Sequence, residues 1–176
     1  MRRLFLLFYS VSLFSADYDP LLMRAQASIF PKIILLDQDV SKKTLNGSIS
    51  LKVIYDGSER LQAKELKQLV DGQYKGKIGG YNFETELVHI DNFSASDDAT
   101  AYILLDAADP KKRSVIARAA KNHRICFGYN YKDIENNILI SLLMKEKTYI
   151  YLNKSALHEY TINFTPVFYR IVKVIE

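Results

Sequence analysis

A chain of 176 residues, 48% hydrophobic and 25% charged, is long enough for one domain with a substantial core. Its 24 basic and 20 acidic side chains leave a formal charge of +4, too mild a balance to argue for a nucleic-acid partner. The one cysteine, Cys126, excludes an intramolecular disulfide, so the core must hold the fold alone, and 12 Tyr and 9 Phe help to build it.

The first sixteen or so residues read as a secretory signal. Arg2 and Arg3 form the positive n-region, Leu4 to Phe14 an apolar run broken only by Ser10 and Ser12, and Ser15 and Ala16 offer small residues for cleavage. Phe14 or Leu13 at the −3 position leaves the exact bond open. The rival reading is an uncleaved anchor, but this run of about eleven residues covers roughly half of a bilayer core that needs about 20. Residues 17–176 are then the mature domain, with 22 basic against 20 acidic side chains once Arg2 and Arg3 are removed. No later segment reaches 18 consecutive apolar residues, so the expectation is a soluble periplasmic protein.

Asp19-Pro20 opens the first element as an N-cap with proline at N1. Leu22, Ala25, Ile29, Ile33 and Leu36 recur at helical spacing, and Pro31 should kink that helix. The alternative ends the helix near Phe30 and makes Lys32 to Leu36 a strand. After the Asn46-Gly47 turn, Ile49, Leu51 and Val53 alternate with polar residues in a strand that stops at Asp56-Gly57-Ser58. Ser58 caps the next helix, with Leu61, Ala63, Leu66, Leu69 and Val70 as its apolar stripe and Gly72 as its end. Gly76 to Gly80 is a glycine-rich loop, and Tyr81 to Ile90 a half-exposed strand with Tyr81, Phe83, Thr85 and Leu87 on one face.

Ala101 to Leu105 and Arg124 to Phe127 are short buried strands on either side of a helix opened by Asp109-Pro110, whose buried stripe is Val115, Ile116, Ala119 and Ala120. Ile138 to Met144 and Thr148 to Leu152 form a hairpin around Lys145-Glu146-Lys147. A last helix is capped by Thr165, with Pro166 at N1 and Val167, Phe168, Ile171, Val172 and Ile175 facing the core. Alternating strands and helices predict the α/β class: a single-domain α/β/α sandwich on a largely parallel mixed sheet, closed by a C-terminal β-hairpin and amphipathic helix.

The chemistry that the sequence offers is sparse. His89, His123 and His158 have no second ligand at metal-binding spacing, so no metal or other cofactor is expected. Asp37-x-Asp39 and Asp97-Asp98 lack the pattern of a calcium loop and read as solvated turn acids. Gly76-Lys77-Ile78-Gly79-Gly80 lacks the Gly-Lys-Ser/Thr of a phosphate loop and precedes a strand instead of a helix. Lys111-Lys112-Arg113 is the densest basic cluster and reads as a solvated helix face.

In an open α/β sheet, ligands bind outside the carboxyl ends of the strands, at the point where the chain reverses direction. Those ends supply the candidate ligand-binding residues Asp56, Ser58, Asp106 and Asn130. Tyr129 and Tyr131 are the candidate partner-binding anchors, since tyrosine is enriched in interface hot spots. Their other reading is as half-buried residues that end a strand.

From Ile138 onward the order of features resembles the YfiR-like family of exported proteins. Tyr149-Ile150-Tyr151-Leu152-Asn153 matches the aromatic-aliphatic strand closing in Ile-Asn, Ala156 the alanine-containing turn, and Arg170-Ile171-Val172 the basic residue between aliphatics of the final helix. The likeness extends loosely over the mature chain. It implies a non-catalytic periplasmic regulator that contacts the outer domain of an inner-membrane signalling protein, a diguanylate cyclase or a sensor kinase. Two departures stand out: Cys126 cannot form the disulfides of that family's best-known member, and Tyr160-Thr161-Ile162-Asn163 replaces a turn with glycine and serines. The competing functional readings are a small solute-binding module using the strand ends and a hydrolase using Asp106 and Asp109 with a metal.

Overall fold

The computed structural model describes residues 18–94, 96–107 and 109–176; the expected signal at residues 1–16 therefore lies outside the described residues. Among the described residues no helix is long and apolar enough to cross a membrane. Helix α1 (Pro20–Ile34) starts at Asp19, whose carboxylate accepts the Leu21 N–H at 2.8 Å. It runs on through Pro31. The missing proline N–H removes one internal bond, and the buried face of Met23, Ala27, Phe30, Ile33 and Ile34 offsets that cost.

Strand β1 (Ser48–Tyr55) leads into α2 (Arg60–Tyr74), the short β2 (Lys77–Ile78) and β3 (Tyr81–His89). Then come β4 (Ala101–Leu104), α3 (Arg113–Lys121), β5 (Ile125–Gly128), β6 (Ile140–Met144) and β7 (Thr148–Asn153). The chain continues through α4 (Lys154–Tyr160), α5 (Pro166–Ile171) and β8 (Val172–Ile175).

These eight strands form one sheet in the order β2-β3-β1-β4-β5-β6-β7-β8. β3, β1, β4, β5 and β6 are mutually parallel, β2 and β7 pair antiparallel, and β8 lies parallel to β7. From β1 the chain crosses through α2 to β3; from β4 it crosses through α3 to β5, the opposite way along the sheet. Right-handed crossovers in opposite directions put their helices on opposite faces. Accordingly α1 packs with α2, and α3 with α4. β4 and β5 are buried along their whole length, as central parallel strands covered on both faces must be. The α/β sandwich expected from the sequence is the fold, and the chain reverses direction between β1 and β4.

Local departures have simple causes. The glycine-rich stretch is a hairpin: Gly79 (φ +53°) and Gly80 (φ +88°) connect β2 to β3 with positive φ at both turn positions. Helix α2 passes Gly72 and ends where Lys75 turns left-handed, and Leu61, expected on its apolar stripe, is 76% exposed. The largest correction is at the C-terminus. The expected helix through Ile175 stops at Ile171, and Val172–Ile175 become an edge strand on β7. β-Branched Val172, Val174 and Ile175 favour a strand, and β7 offers a backbone edge to pair with. Of that helix only Phe168 is buried, stacked on Phe164 with ring centroids 4.0 Å apart. Val167, Tyr169, Ile171 and Val174 are exposed.

Candidate functional site

The strands β1 and β4 end side by side at the reversal point, where a fold of this kind opens a crevice. Here the chain fills it. Asp56 accepts the Ser58 N–H at 2.7 Å and the Glu59 N–H at 3.2 Å, while the Glu59 carboxylate accepts the Asp56 N–H at 2.8 Å. This reciprocal capping box points Glu59 inward. From the turn after β4, Lys112 donates to both Glu59 oxygens at 2.9 and 2.7 Å, and its side chain is completely buried. Tyr18 closes the third side: its hydroxyl donates to Glu59 at 3.2 Å, and its ring lies 4.6 Å from that of Tyr129. Burial raises the Glu59 carboxyl above its ordinary value, against the pull of Lys112 and the Asp56 N–H.

The open space lies beside this plug, at the ends of β4, β5 and β6. A cavity of about 680 Å³ is walled by Leu22 of α1 and by Leu142, Leu143 and Met144 of β6. Its polar side carries Asp106, from the turn after β4, and Asn130 and Asp133, from the turn after β5. The segment Tyr131–Asn136 coils as a 3-10 helix held by a second capping box: the Asn130 N–H donates to Asp133 Oδ2 at 2.7 Å. Asp133 is 3% exposed. Burial pushes its carboxyl up to about 7, with Asp106 adding to the shift and the Asn130 N–H and Lys112 opposing it. Gly128 makes this approach possible, since a Cβ there would lie 2.5 Å from the Asp133 Cβ.

The structure divides the four candidate ligand residues into two pairs. Asp106 and Asn130 line the cavity, whereas Asp56 and Ser58 are spent on one another in the capping turn, with Ser58 Oγ donating to Asp56 at 2.7 Å. Of the two candidate anchors, Tyr131 borders the cavity with its ring 4.6 Å from that of Tyr151. Tyr129 is no surface anchor: it is 2% exposed, and its hydroxyl accepts the Asp19 N–H at 2.7 Å, stitching the start of α1 to the end of β5.

Other expectations also change. Lys112, read as part of a solvated basic face, is the buried half of the plug. Asp37, read as a solvated turn acid, is 2% exposed and pairs with Lys43 at 2.5 Å. Asp39, Asp97 and Asp98 each have a cationic partner as well, in Lys42, Lys52 and Arg124. Among the described residues no group of three or more His, Cys, Asp or Glu side chains could hold a metal ion. None of Glu59, Lys112 and Asp133 is among the candidate site residues read from the sequence. For two of them a signal was present, since Asp56-x-x-Glu59 and Asn130-x-x-Asp133 both have the spacing of a capping box.

No protein-family model matches the chain, and no curated protein matches it in sequence. Solved structures of like fold do. A conserved domain protein from Vibrio cholerae O1 biovar El Tor has a TM-score of 0.53 at 13% identity, over 78% of this chain and 58% of that one. An ABC domain from Streptococcus pneumoniae, in complex with L-Trp, has a TM-score of 0.50 at 12% identity, over 82% of this chain and 61% of that one. The chain thus spans less than two thirds of either neighbour, and likeness at such low identity establishes the α/β fold alone.

Proposed function

We propose that this protein is a non-catalytic binding module of the periplasm that takes a small solute in the cavity at the carboxyl ends of β4, β5 and β6. The observation that carries the reading is that cavity. It is adjacent to the chain reversal, has the size of a small-molecule site, and combines an apolar wall with a few placed polar groups. The S. pneumoniae domain of like fold is in complex with L-Trp, and a solute of that size is the kind this cavity would take. A calorimetric screen against amino acids, amines and small anions tests the reading, repeated on Asn130→Ala and Leu143→Ala. A hit that both variants weaken about tenfold is the expected result. A hit that neither variant changes places binding elsewhere and sinks it.

A second reading makes the module a regulator of an inner-membrane diguanylate cyclase or sensor kinase. It is favoured by the apolar side chains Val167, Tyr169, Ile171 and Val174, left exposed along α5 and β8, since exposed apolar surface can mark protein contacts. Crosslinked pull-down of the mature chain from detergent-solubilised membranes of its native host tests it. Recovery of one signalling protein with a periplasmic domain is expected, and loss of that recovery with Tyr169→Ser and Ile171→Ser would locate the contact. Recovery of envelope background alone counts against it.

A further inference from the structure

Resting on the solute-binding reading, we infer that the ligand of this cavity is a small organic cation, a protonated amine carried on an apolar body. Four carboxylates border the cavity, Asp19, Asp106, Asp133 and Glu135, against a single ammonium on Lys132. Their depths differ in a useful way. Asp133 is buried at the base and Asp106 is half-buried, while Asp19, Glu135 and Lys132 are exposed at the rim. The charge that a bound group meets inside is therefore acidic. A carboxylate ligand would face Asp106 and would keep Asp133 protonated, beside an apolar wall where like charges are least screened. A protonated amine meets the opposite sign in the same place, and the ring of Tyr131 offers it a further favourable face.

A second feature is independent of the acids. The apolar wall of Leu142, Leu143 and Met144 covers the body of the ligand, which a bare metal ion would leave unused.

Asp133 gives the event a signature. Its carboxyl titrates near 7 under the influence of its burial, of Asp106 and of Lys112. A cation bound beside it favours the ionised form, so binding near pH 7 releases protons.

The test compares four probes of one shape by calorimetry and by methyl NMR at Leu142, Leu143 and Met144: tryptamine, neutral tryptophol, anionic indole-3-propionate and zwitterionic L-tryptophan. The expected order places tryptamine about tenfold or more above tryptophol, with indole-3-propionate weakest, and affinity falling with salt. In two buffers of different ionisation enthalpy, the tryptamine heats should differ by a fraction of a proton released. Asp106→Asn should weaken tryptamine about tenfold and the exposed Glu135→Gln about threefold, with tryptophol unchanged in both. L-Tryptophan equal to tryptamine would point to an amino acid as the natural source; a much weaker zwitterion would point to a simple amine. Indole-3-propionate binding as tightly as tryptamine overturns the cation assignment and leaves the cavity reading standing. No methyl shift with any probe overturns both.

Discussion

Two neighbouring stretches of the same sheet edge, a few residues apart in the fold, end in opposite ways. Where β1 meets β4 the chain packs Glu59, Lys112 and Tyr18 into the crevice and leaves a sealed polar core. Where β4, β5 and β6 end, the Tyr131–Asn136 segment, Leu22 and the end of β6 border an open cavity. The contrast teaches that the reversal point of a doubly wound sheet is a place where ligands are favoured, not one where they are required. A buried ion pair with its remaining bonds satisfied does the same electrostatic work that a bound ligand would, and it displaces the free volume one strand along.

The comparison can be broken most sharply at the plug. Lys112→Met leaves the Glu59 carboxylate buried without its cation and should destabilise the domain by about 3–5 kcal/mol in a urea melt. Adding Glu59→Leu to that variant should restore most of the loss, because two apolar side chains need no solvation. If the single variant melts like the parent, the seal is not structural.

On the open side the sharper probe is pH. Asp133 keeps its proton up to about pH 7 in the folded chain but only to about 4 when unfolded. The folded state therefore holds the extra proton between those values, and stability falls as pH rises through that window. The slope is at most about 1.4 kcal/mol per pH unit. Asp133→Asn should flatten it and exceed the parent in stability above pH 7, as read by thermal melts from pH 4 to 8. An unchanged slope would mean that another group titrates.

Gly128→Ala tests what the two sides share, the close approach behind Asp133. Its Cβ cannot coexist with the Asp133 Cβ at 2.5 Å, so the 3-10 segment must shift, at a cost of about 1–3 kcal/mol. Solute binding should fall further than stability does. The smallest effect is expected at Asp19→Ala, which removes the N-cap of α1 and should cost about 1 kcal/mol. Amide exchange should then quicken in the first turn of α1 and leave β4 and β5 unaffected.

Much of the architecture was legible in advance because it rests on local rules. Asp19-Pro20 and Asp109-Pro110 announce turns that start helices, and the alternation in Tyr81–His89 announces a strand with one buried face. The strand ends were located from the same rules, which is why Asp106 and Asn130 were named and do line the cavity. The errors arise where the outcome depends on a partner distant in sequence. Ile171 to Ile175 has an apolar pattern that suits a helix or an edge strand, and the free side of β7 decided for the strand. Lys112 looks like an ordinary surface charge until Glu59, 53 residues away, closes on it.

By itself, then, the amino-acid order determined the α/β alternation, the capped turns and the residues at the strand ends, because caps, spacing and turn residues act within a few positions of one another. Only the tertiary structure decided which of those ends is plugged and which is open. That choice depends on which charges meet in the absence of water, and their meeting is set by the crossover of the chain, not by neighbours in sequence.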